Sequence, residues 1–167
     1  MSEPSTVCAV LAGGAASAIV DLYTRRVPNG LTLGIGSVGV ALAATHVTAV
    51  SVPGALGGFA LGLVLMLPGH VIGATGAGDV KLFAALGTLL GPARTGTAFL
   101  YTAVAGGLLV VAVASRRRRL ATTFERTAAL VRSRGGNAAE IERATENNRF
   151  AYAPAIAAGT LAAALGL

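Results

Sequence analysis

The stretch Val52-Pro53-Gly54-Ala55-Leu56-Gly57-Gly58-Phe59-Ala60-Leu61-Gly62-Leu63-Val64-Leu65-Met66-Leu67-Pro68-Gly69-His70-Val71-Ile72 decides the fold. It holds no Asp, Glu, Lys or Arg, and it reaches the length of about 20 apolar residues that a helix needs to cross a bilayer. Further apolar runs lie on either side of it, at about Val7 to Leu22, Leu31 to Ala44, Val80 to Leu90, Thr97 to Ala114 and Tyr152 to Leu167. Several are shorter than a straight span, so their helices are expected to run into the adjoining loops. The composition agrees: 54% hydrophobic, 12% charged, mean hydropathy +0.71, far too apolar for an ordinary soluble domain. The 23 glycines and the many alanines fall largely inside these runs, where small residues let membrane helices approach closely. The expectation is an all-α, polytopic membrane helix bundle of about six transmembrane helices, with residues 1–167 as a single membrane-embedded domain.

The net charge of +6 can point to nucleic acid or to an anionic membrane surface, and position separates the two. Nine of the 13 Lys and Arg residues lie between Arg116 and Arg149; Arg25 and Arg26 form a pair; Lys81 and Arg94 complete the set. A nucleic-acid surface would interleave cations with aromatics, yet the chain has no Trp and 5% aromatic residues, so no nucleic-acid partner is expected. With the N-terminus outside, the loops at 23–30, 69–79 and 115–150 face the cytoplasm and gather eleven basic residues, leaving Arg94 alone outside. That distribution obeys the positive-inside rule. The Arg-rich loop reads as a lipid anchor at Arg116 to Arg119, continued by an amphipathic surface helix. Residues 1–7 carry no Lys or Arg, so the first apolar run reads as a retained span rather than a secretory signal.

Apart from Glu3 and the acids of the Arg-rich loop, the acidic residues are Asp21 and Asp79. They stand 58 positions apart, but the topology puts both at cytoplasmic helix ends, where they can meet. Each has a plain structural reading: Asp21 as a helix-end partner of Arg25, Asp79 as the N-cap of a helix beginning at Val80. Together they have a chemical one. Two carboxylates sharing a proton let one act as general base on water while the other protonates a peptide carbonyl, with no metal or cofactor. The glycines of Gly76-Ala77-Gly78-Asp79 would admit a substrate strand close to the backbone and allow positive φ. Gly73 and Gly78 have the spacing of a phosphate-binding loop, but Asp79 stands where that loop needs Lys. His46 and His70 are expected in loops on opposite sides of the membrane, so no metal site is expected. The lone Cys8 reads as a small hydrophobe.

Three segments carry a family resemblance. Gly76-Ala77-Gly78-Asp79-Val80-Lys81-Leu82 resembles the Gly-x-Gly-Asp (GxGD) signature of the type IV prepilin peptidases, which are membrane aspartic proteases. Asp21-Leu22-Tyr23-Thr24-Arg25-Arg26-Val27-Pro28-Asn29 resembles the family's other aspartate motif. Tyr152-Ala153-Pro154-Ala155-Ile156-Ala157-Ala158-Gly159 resembles its last-helix motif, with Ala151 and Ala153 where Pro and Gly are usual. The chain lacks the Cys-x-x-Cys pairs of the long forms and is similar to the short forms of tight-adherence (Flp) pilus systems and archaeal preflagellin peptidases. The resemblance implies a catalytic pair, Asp21 and Asp79, supported by Gly76, Gly78, Lys81, Arg25, Arg26, Pro28 and Asn29. It also implies a prepilin or pilin-like substrate with a basic leader before a hydrophobic helix, cut at the cytoplasmic membrane face. The competing expectation is a non-catalytic transporter subunit or pilus-assembly scaffold, in which the two acids are ion or packing sites.

Overall fold

The computed structural model describes residues 3–116 and 151–167; the anchor and surface-helix expectations for the Arg-rich loop fall on 117–150, outside the described residues. Every regular element described is an α-helix: α1 (Pro4–Thr24), α2 (Asn29–Ala44), α3 (Val52–Val71), α4 (Ala77–Arg116) and α5 (Ala153–Leu165). Their ends follow local chemistry. Ser51 caps α3 by accepting from the Gly54 N–H at 3.2 Å. Prolines start α1, α3 and α5, where a missing N–H costs nothing. Gly166 closes α5 at φ 77.

Three helices are long and apolar enough to cross a membrane: Pro4–Thr24, Val52–Val71 and Ala77–Ala112; Asn29–Ala44 and Ala153–Leu165 are apolar but shorter. The fourth and fifth apolar runs form two helices that abut across a break at one residue, without an intervening loop, and α4 names the two together. Gly91, at φ 71 and ψ 173, breaks α4 into limbs of residues 77–90 and 92–116. Pro92 begins the second limb at once, because its φ is already helical and the first turn needs no N–H there. Arg94, expected in an external loop, consequently lies in helix.

The first limb of α4 is the core. Residues 82–90 are all buried, with Leu82, Phe83 and Leu86 at 0% exposure. Helix α3 packs on this limb so closely that a Cβ on Gly87 would sit 2.5 Å from the Gly58 carbonyl oxygen, and one on Gly62 2.8 Å from Ala84 Cα. Helix α2 meets the same limb where Gly39 faces Thr88; α5 packs on the second limb, and α1 meets α5 where Gly14 faces Ala157. Lipid tails are as apolar as leucine, so such backbone proximity, by van der Waals contact, replaces the hydrophobic effect as the adhesive. Outside, Leu33, Val64, Leu100 and Leu108 are each more than 60% exposed, a surface suited to acyl chains rather than water.

The connections alternate between two ends of the bundle. The end of α1, the start of α2, the loop before α4 and the start of α5 gather at one. At the other, Ser5 donates to the Val47 carbonyl at 3.2 Å and Glu3 accepts from the Ala49 N–H at 2.7 Å, near Val50 and the break at Gly91.

Candidate active site

Asp21 lies in the last turn of α1 and is 5% exposed. A carboxylate at a helix C-terminus faces the negative end of the helix dipole. Here another helix offsets that position: the Ala153 N–H, at the start of α5, donates to Asp21 Oδ2 at 3.1 Å. Among the described residues Asp21 makes no ion pair with Arg25. Instead Arg25 turns left-handed at φ 52 and its N–H donates to the Asp21 carbonyl at 2.7 Å, closing the helix. The side chains of Arg25 and Arg26 are exposed.

Asp79 sits in the first turn of α4. That helix starts before Val80, so the N-cap position falls to Gly76, and Asp79 reaches back from the third helical position to accept the Gly76 N–H on Oδ2 at 3.3 Å. This is the carboxylate half of a capping box, and it fixes the side chain without an external partner. Gly76 and Gly78 do not take positive φ; the left-handed glycine of this loop is Gly73, at φ 76.

The two acid-bearing segments interlock. Lys81 Nζ donates to Asn29 Oδ1 at 3.0 Å, tying the first turn of α4 to that of α2. A Cβ on Gly78 would lie 3.5 Å from Val27 Cβ, ordinary contact distance. Pro28 occupies the N-cap position of α2 with extended backbone, φ −63 and ψ 141, and so sets the angle between the Arg25-Arg26 turn and the helix. Asp21 and Asp79 stand close enough for the charge of one to act on the other. The structure thus brings together Asp21, Asp79, Gly76, Gly78, Lys81, Pro28 and Asn29, and leaves Arg25 and Arg26 at the rim.

Two further residues join them. Ala153 supplies the backbone donor just described, and Tyr152 lies near enough to Asp79 to feel its charge. Side-chain chemistry could not reveal Ala153, whose contribution is a peptide N–H. The available signal was Pro154, which marks a helix start and therefore free N–H groups beside it. His70 lies in the last turn of α3 rather than in a loop, with Nδ1 3.1 Å from the Thr75 carbonyl oxygen.

The sequence pattern of the type IV leader peptidase family matches residues 8–111, a span that contains both aspartates and ends before Tyr152. No match to the chain was found among curated proteins or among solved structures.

Proposed function

The chain belongs to the type IV leader peptidase family, and on that premise we propose that it is an aspartic endopeptidase of the cytoplasmic membrane that removes the basic leader from prepilin-like precursors. The observation that carries this reading is that Asp21 and Asp79, from helices far apart in sequence, lie within reach of each other's charge at one end of an apolar bundle. A backbone N–H holds Oδ2 of each acid and so fixes each carboxylate in place. With one proton shared between them, the ionised carboxylate takes a proton from water as the oxygen attacks the scissile carbonyl, and the protonated acid delivers its proton to the carbonyl oxygen. Collapse of the tetrahedral intermediate transfers a proton to the departing nitrogen and restores the shared proton.

In this reading the six helical segments cross the membrane with the N-terminus outside, and residues 1–167 form one peptidase domain with its site at the cytoplasmic face. A precursor whose leader is basic and whose next segment is an apolar helix would present the bond between them at that depth. The bilayer positions the substrate helix, and the acids meet the bond at its boundary.

The reading is tested by reconstituting the protein in liposomes with a prepilin-like precursor and, separately, a single-span protein without a basic leader. Cleavage of the first at the junction of leader and helix, with the second intact, is expected. An uncut precursor would overturn the reading, and equal cutting of both would remove its substrate class. The rate is also expected to pass through a maximum with pH, because the fully protonated pair lacks a base and the fully ionised pair lacks an acid. A rate flat from pH 4 to 9 would contradict a shared-proton mechanism.

A further inference from the structure

The start of α5 reaches both acids, and its geometry depends on one side chain. Tyr152 stands at the N-cap position, its carbonyl accepting from the N–H groups of Ala155 and Ile156 at 3.0 and 3.2 Å. Pro154 has no N–H. Among the first residues of α5, Ala153 is therefore the donor left to point out of the helix, and it points at Asp21. Where α5 begins decides where that donor is aimed.

The hydroxyl end of the Tyr152 ring abuts Gly106 of α4: a Cβ on Gly106 would fall 2.5 Å from Cε2 and 2.7 Å from Cζ. Its hydroxyl donates to the Thr102 carbonyl at 3.4 Å. Two turns along, α5 meets Thr102 again, since a Cβ on Gly159 would lie 2.7 Å from Thr102 Cα. The ring thus occupies a seat that only glycine leaves open, and it is held by the same stretch of α4 that holds the helix behind it.

We propose that Tyr152 is a positioning residue for the hydrolysis: seated on Gly106, it sets the N-terminus of α5 so that the Ala153 N–H holds the Asp21 carboxylate toward Asp79. This rests on the dyad reading above. It requires no contact between the phenol and substrate, and it assigns Gly106 the role of making room for the ring.

The test is cleavage of a prepilin-like precursor in liposomes by Tyr152→Phe, Tyr152→Leu and Gly106→Ala, with kcat, KM and the pH profile read for each and membrane insertion checked. Tyr152→Phe keeps the ring and is expected to stay within about threefold of the wild-type kcat, since the bond it loses is long. Tyr152→Leu and Gly106→Ala, which empty or obstruct the seat, are expected to lower kcat by about 30-fold, with KM within about twofold and the pH maximum displaced, because a small misplacement of a reacting group has effects of this size. Wild-type kcat and pH maximum in an inserted Tyr152→Leu or Gly106→Ala would overturn the proposal, as would a loss confined to KM. Asp21→Asn is run alongside: if it is silent while Tyr152→Leu is normal, the positioning role alone fails, whereas cleavage by Asp21→Asn removes the dyad reading itself.

Discussion

Gly87→Val is expected to destabilise the bundle severely. The atoms that a side chain would meet there, the carbonyl oxygen and carbon of Gly58 at 2.5 and 2.9 Å, are backbone and cannot rotate aside. Helices α3 and α4 would have to separate, and the limb carrying Leu82, Phe83 and Leu86 would lose its neighbour. Overpacking a well-filled core costs about 1–3 kcal/mol even where side chains can give; with two backbones opposed we expect about 3 kcal/mol or more. In a bilayer no hydrophobic gain between helices makes up the loss. Thermal unfolding of the detergent-solubilised protein measures it. Gly107→Val is the control, because a Cβ there meets nothing within 4 Å. Equal stability of the two variants would show that the Gly58–Gly87 contact does not hold the bundle.

That contact also shows where sequence reading stops. The run from Val52 to Ile72 announces α3 almost residue for residue, since an uncharged stretch of that length has few other destinations, and the helix ends at Val71 with Ser51 as its cap. Abundant glycine in such runs foretells close packing in general. Which glycine faces which is a matter of helix rotation, and the small difference in polarity between the faces of an apolar helix does not encode it. The same limit explains why the fourth and fifth apolar runs abut directly: residues 91–96 read as a loop, but a left-handed glycine followed by a proline can turn the chain from one helix into the next within a single residue. At the site, Asp21 and Asp79 were legible because acids are scarce in an apolar chain and charge placement puts both at one end. The Lys81–Asn29 hydrogen bond and the Ala153 donor were not, for they depend on how three helix starts converge in space.

The largest functional effect is expected at the acids themselves. Asparagine matches aspartate in shape and still accepts a hydrogen bond, so in Asp21→Asn the Ala153 N–H keeps a partner, and in Asp79→Asn the Gly76 N–H does. What each substitution removes is the ability to gain or lose a proton. General acid–base transfer contributes about 10²–10⁴-fold to a rate, and with no other nucleophile in the mechanism we expect each variant to lose at least about 10³-fold in kcat. In the proposed mechanism the two acids work as a unit, so the double variant should be no slower than either single one.

The central claim is that these two carboxylates are the reacting pair, and cleavage of a co-expressed prepilin-like precursor by the wild type, Asp21→Asn and Asp79→Asn, each confirmed in the membrane, tests it most directly. The account predicts a trimmed precursor with the wild type alone; trimming at the same bond by either inserted variant would contradict it and return that aspartate to a structural role.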